Sequence, residues 1–208
     1  MNGFVGGFYK ISEWIMRLAY INLLWIMFTI MGLGLFGLFP ATISMFTVIR
    51  KWLMGFDDIP IFKTFWTSYK KEFLKSNLLG LLIMVTGYVL YIDLYFLGRA
   101  DGFISVIYYP TFLLSIGFIL TICYIFPTFV HFDVSVFQVV KNSFLIMLMN
   151  PLSTIMMVIG SIAVYMLMTT LPGLIPIFGG SVLAFVIMWS AFLAFTRIER
   201  QRQASTSK

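Results

Sequence analysis

Four long stretches of this chain hold almost no side chain that can carry a charge, and nothing else in it constrains the fold as strongly. They run over 18–39, 78–97, 103–130 and 144–195, and the last is long enough to cross a bilayer twice. A hydrocarbon core of about 30 Å takes about 20 apolar residues in a helix that rises about 1.5 Å per residue. The chain therefore reads as an all-α membrane protein. Its expected form is a polytopic bundle of about five transmembrane helices with cytoplasmic amphipathic helices, in a single domain over 1–208. The expected spans are 18–39, 78–97, 105–130, 144–171 and 176–195. Composition agrees, because 11% charged residues and a mean hydropathy of +0.98 lie far from the roughly 25% charged residues of soluble domains.

The net charge of +6 does not signal nucleic acid, because most of the Lys and Arg residues lie between or after the apolar stretches, where they set orientation. The positive-inside rule puts the 50–75 and 131–142 connections and the Arg197, Arg200, Arg202 and Lys208 tail in the cytoplasm. The 98–102 turn, with Arg99, and the uncharged 172–176 turn fall outside. The expected location is thus the cell membrane of a bacterium, multi-pass, with a cytoplasmic C-terminus. Cys123 is the single cysteine, which excludes a disulfide framework or a Cys-based metal site within one chain. The N-terminus lacks the pattern of a secretory signal peptide, so the first apolar stretch is expected to be retained.

Phe4, Phe8, Ile11 and Ile15 recur at spacings of three and four opposite Lys10, Glu13 and Arg17, the pattern of an amphipathic interfacial helix. The uncharged run from 18 to 49 would be about 48 Å of helix, too long for one untilted crossing. Two arrangements stay open. Either 18–39 crosses and a helix beginning at Pro40 lies along the inner face, or the two form a hairpin with its tip at the glycines between Gly32 and Gly37. The charge rule favours the hairpin, whereas length and Pro40, suited to a first helical turn, favour the straight span.

Between 57 and 75 the composition changes. Ile61, Phe62, Phe65, Trp66, Tyr69 and Phe73 fall on one helical face, with Lys63, Lys70, Lys71 and Lys75 on or toward the other. Such a helix suits an anionic inner leaflet, or else is a solvated connection between spans. Lys63, Trp66, Lys70, Lys71, Lys75 and Lys141 are the candidate contacts to membrane surface or partner.

Asp93 is the single charged residue within an expected span, and an ionisable group there is a candidate substrate or ion contact; the competing reading is an interfacial residue near Arg99. Thr42 and Ser44, just after Pro40, are candidate substrate contacts, since helix N-termini at membrane depth hold anionic groups in transporters. Against this, membrane-helix hydroxyls commonly bond the carbonyls of their own helix. Asn22 and Thr29 share a face and invite the same two readings, while Gly179, Gly180 and Ala184 form a seam suited to close helix packing. His131 and Asp133 are expected to end one helix and start the next, with Asp133 or Ser135 accepting hydrogen bonds from the first N–H groups after it. No nucleophile–base spacing, phosphate-cradling loop or close carboxylate pair is recognisable, so no catalytic residue, metal or cofactor is expected.

Several short motifs occur in a distinctive order. Asn22-Leu-Leu-Trp25 precedes a glycine turn into Phe39-Pro-Ala-Thr42. Val48-Ile-Arg-Lys-Trp-Leu-Met-Gly55, Phe65-Trp66, Lys141-Asn-Ser-Phe144 and Asn150-Pro151 follow. Together they resemble the YesL family of small bacterial membrane proteins, over nearly the whole chain; the family's usual Gly-Pro-Ala reads Phe39-Pro-Ala here. The resemblance implies a non-enzymatic accessory to carbohydrate uptake and degradation, including plant polysaccharide such as rhamnogalacturonan, acting with the permease of an ABC-type sugar importer. It supplies no ligand residues. The alternative is a small transporter or channel in its own right. The lipid bilayer is the first expected partner, and a homo-oligomer stays open.

Overall fold

The computed structural model describes the backbone of residues 3–99 and 102–206, and side chains over 9–99, 102 and 105–200. Ala100, Asp101 and Lys208, and the side chains of Phe4, Phe8 and Arg202, lie outside the described residues. Within them the chain forms seven α-helices and no strand: α1 (Gly3–Met31), α2 (Leu35–Leu53), α3 (Ile61–Leu97), α4 (Tyr108–His131), α5 (Val136–Met149), α6 (Pro151–Thr170) and α7 (Ile175–Thr206). Short 3₁₀ turns over Gly102–Ile107 and Pro172–Leu174 precede α4 and α7. Five segments are long and apolar enough to cross a membrane: Tyr9–Met31, Ile61–Leu97, Ser105–His131, Pro151–Thr170 and Pro172–Arg200.

The 18–39 run is not one helix. It breaks after Met31, because Leu33 (φ 59°) and Gly34 (φ 73°) take left-handed backbone that turns the chain back. α1 and α2 then pair as an antiparallel hairpin. At its closed end a Cβ on Gly37 would sit 2.5 Å from the Thr29 carbonyl oxygen. At its open end the Trp14 and Trp52 rings meet edge-on at 5.7 Å, and Arg17, ion-paired with Glu13, reaches Asp57 at 3.7 Å. The amphipathic segment near the N-terminus continues into the first apolar stretch without a break.

α2 is the core helix, packed by α1, α3, α4 and α7. It begins five residues before Pro40, which therefore sits inside the helix and not in its first turn. Proline has no N–H to give the Phe36 carbonyl. Asn77 of α3 fills that role, its Nδ2 donating to the Phe36 oxygen at 3.0 Å and to the Phe73 oxygen at 2.8 Å.

α3 merges the basic amphipathic segment and the second expected span into one helix. Its first half runs antiparallel to α2, with the Thr47 and Ser68 hydroxyls 3.1 Å apart and the Phe39 ring over Gly80. Most of its aromatic face is turned into the protein, with Phe62 the exposed member. Phe65 has no exposed surface, and Phe28 of α1 lies 5.1–5.3 Å from the Phe65, Trp66 and Tyr69 rings. Beyond Gly80 the face reverses character, and Leu81, Val85, Tyr88 and Tyr91 are exposed, as lipid contact requires.

The fourth apolar stretch divides at Asn150-Pro151. Pro151 starts α6 at its first turn. The Met147 carbonyl, which loses a helical donor to the proline, accepts from Thr154 Oγ1 at 3.3 Å, and Asn150 Nδ2 donates to the Ile146 oxygen at 3.1 Å. Ser135 begins α5, its N–H donating to Gln138 Oε1 at 3.3 Å in the reciprocal arrangement of a capping box. α7 is tied to α1 by one buried amide. Asn22 Nδ2 donates to the Pro176 oxygen at 2.8 Å, while its Oδ1 accepts from the Gly180 and Ser181 N–H groups at 3.0 Å. The small-residue seam of α7 is thus occupied by α1, with Trp25 against Gly180.

Candidate functional site

The end of α2, the first half of α3 and the last turn of α4 enclose a groove of about 610 Å³. Each wall follows from local sequence. α2 ends in Arg50 and Lys51 after an uncharged helix; α3 presents Lys63, Lys71 and Lys75 opposite its buried aromatic face; α4 delivers Phe129 to His131. Glu72 and Asp133 are the two carboxylates of the lining. Both stand next to lysines, Glu72 at 3.4 Å from Lys71 and Asp133 at 3.8 Å from Lys75. Lys75 also lies over the Phe129 ring at 5.0 Å.

Arg50 sets the floor. Its Nε donates to His131 Nδ1 at 3.3 Å, and His131 Nε2 lies 3.2 Å from Glu199 of α7. A ring that accepts at Nδ1 carries its proton on Nε2, so it donates to the carboxylate and passes the polarity of Glu199 to Arg50. Desolvation pulls the Arg50 pKa below its ordinary value, and the charge of Glu199 opposes that shift. The guanidinium stays charged at any physiological pH.

The structure divides the six candidate surface contacts. Lys63, Lys71 and Lys75 line the groove. Trp66 packs on Phe28, Lys70 stands 4.8 Å from the Trp66 ring, and Lys141 is exposed on α5. His131 and Asp133 part company, one bonded to Arg50 and Glu199, the other beside Lys75.

Thr42, Ser44 and Thr47 each donate to the carbonyl four residues back in α2, at 2.7, 2.7 and 2.8 Å. Ser44 has no exposed surface, and Thr42 also accepts from Trp25 Nε1 at 3.0 Å. Asp93 is exposed on the distal half of α3. It is not brought together with Thr42 and Ser44, which face the interior of the bundle. Among the described residues no group of three His, Cys, Asp or Glu side chains could hold a metal ion.

Sequence reasoning read Arg50 and Lys51 as topology charges and as part of the Val48–Gly55 motif, not as site residues, and did not place Glu199 at all. A basic doublet ending an otherwise uncharged, polar-bonded core helix was the available signal for the first two.

Comparison with known proteins places the chain among bacterial relatives of matching length. The family model described as "Protein of unknown function, DUF624" matches residues 18–94, which hold the end of α1, the turn, α2 and most of α3. "Uncharacterized protein YteU" of Bacillus subtilis (strain 168) is 37% identical over 199 residues, covering 96% of this chain and 90% of that one. YesL and YesV of the same organism, also uncharacterized, are 35% and 37% identical, covering 95% and 93% of this chain and 93% of each relative. No solved structure matches.

Proposed function

The chain belongs to the family of YteU, YesL and YesV, and from that premise we propose that it is a non-enzymatic accessory protein of the cell membrane, with its C-terminus in the cytoplasm. In this reading it serves carbohydrate uptake and the degradation of plant polysaccharide such as rhamnogalacturonan, by binding the permease of an ABC-type sugar importer.

The observation that carries the reading is where the polar groups of the helices go. Asn22, Thr42, Ser44, Thr47, Tyr124 and Thr154 are all engaged in bonds within or between helices. Among the described residues, the surfaces offered to another molecule include the apolar outer faces and the basic groove. A protein built this way binds its partner by packing and charge, although the buried hydroxyls of Thr29, Thr128, Ser161 and Ser190 have no partner among the described residues. A carrier draws no support from the placement of Asp93 on an outer face.

Purification in mild detergent tests the reading. A sugar-importer permease is expected to co-purify in near-stoichiometric amount. Recovery of the protein alone from cells that express the permease would contradict it, as would loss of substrate flux in reconstituted Asp93→Asn protein.

A further inference from the structure

The groove between α2, α3 and α4 holds an imbalance that the fold does not neutralise. Five cationic side chains, Arg50, Lys51, Lys63, Lys71 and Lys75, line it against two carboxylates. Lys71 and Lys75 stand beside those carboxylates. Lys51, Lys63 and Arg50 have none within 4.0 Å among the described residues. Arg50 has five N–H donors, of which only that on Nε has a partner among the described residues. A half-buried guanidinium with idle donors calls for an acceptor that brings negative charge. The hydroxyl-bearing Thr64 and Thr67 of α3 share the groove with the apolar Ile43, Ile59, Phe129 and Phe132.

We propose that this groove binds the phosphate group of an organic phosphate, with Arg50 as the forked anchor and Lys51 and Lys63 as flanking charges. A phosphate monoester brings about two negative charges to Lys51, Lys63 and Arg50, and a phosphodiester brings one spread over two oxygens that both accept from a guanidinium. The guanidinium fork fits two phosphate oxygens at once. A volume of about 610 Å³ falls in the range of about 300–1,000 Å³ typical of small-molecule sites. It is far more than inorganic phosphate fills, and the apolar wall supplies contact for the rest of the molecule. Two sources present this chemistry, the headgroup of an anionic phospholipid and a free phosphate ester. The inference does not rest on the accessory reading, since the groove binds phosphate whether or not a permease is the partner.

The test uses the full chain in nanodiscs of phosphatidylcholine, with or without phosphatidylglycerol. Native mass spectrometry counts retained phosphatidylglycerol, and calorimetry titrates sn-glycerol 3-phosphate and inorganic phosphate. Lys51→Gln/Lys63→Gln changes the groove while leaving Arg50 in place, and Lys70→Gln removes a charge of the same helix that lies outside it. Saturable binding of either probe that weakens about tenfold in the double variant, and less than twofold in Lys70→Gln, supports the site. Retention of the lipid without binding of glycerol phosphate identifies a headgroup site, and the reverse identifies a soluble ester. Binding that is absent for every probe, or equal in the double variant and Lys70→Gln, overturns the proposal. So does binding of inorganic phosphate alone, because the apolar wall then has no role. A permease that fails to co-purify leaves these outcomes unchanged, so the two ideas fail separately.

Discussion

Phe65→Ala is expected to destabilise the detergent-solubilised protein by about 3–5 kcal/mol, the range for emptying a fully buried aromatic site. At about 2–4 °C per kcal/mol for a chain of this size, the unfolding temperature falls by roughly 10 °C. The reason is specific to this position. Phe65 has no exposed surface and packs 5.2 Å from Phe28, so its removal opens a cavity where α3 meets the hairpin. Phe62, three residues earlier on the same helix, is 48% exposed, and Phe62→Ala should move the transition far less. Equal shifts for the two variants would mean that α3 does not turn its aromatic face into the protein.

Gly37→Val should cost about 3 kcal/mol, toward the upper end of what overpacking usually does. The first atom of any side chain there meets the Thr29 and Phe28 carbonyl oxygens at 2.5 and 2.7 Å. Both are backbone atoms of α1, so relief requires the hairpin to open. Gly117→Val on α4 is the matched control, because nothing lies within 4 Å of a Cβ at that position. A Gly37→Val protein that melts with its Gly117→Val counterpart would show that α1 and α2 do not touch at the turn.

The apolar stretches were legible as helix because long uncharged runs have few alternatives, but two of the five expected spans are interrupted, 18–39 by the turn after Met31 and 144–171 at Asn150-Pro151. What escaped the sequence has physical causes that differ by segment. The 18–49 run allowed two folds since charge and length argued in opposite directions; the decision rests on three residues of turn whose backbone sign no pattern of hydropathy encodes. α3 runs unbroken through Lys75 to Leu97 because nothing in that stretch stops a helix, although its composition changes abruptly. α5 and α6 part at Pro151, an interruption visible in the sequence but hidden within an apolar run long enough to read as one crossing. Of the candidate site, Lys63, Lys71 and Lys75 were found by helical periodicity. Arg50, Lys51 and Glu199 were not, because they meet the others only through packing of α2, α4 and α7.

Side-selective thiol labelling in intact cells tests the membrane arrangement most directly. Glu199 bonds His131 at the groove, and α7 runs back from there to the Pro172–Leu174 turn. That is about 36 Å of helix, more than the roughly 30 Å of a hydrocarbon core, so groove and turn belong on opposite faces. On a Cys123→Ala background, Gly173→Cys should react with an impermeant maleimide in intact cells, and Lys63→Cys only after permeabilisation. Labelling of both positions from the same side would contradict the arrangement.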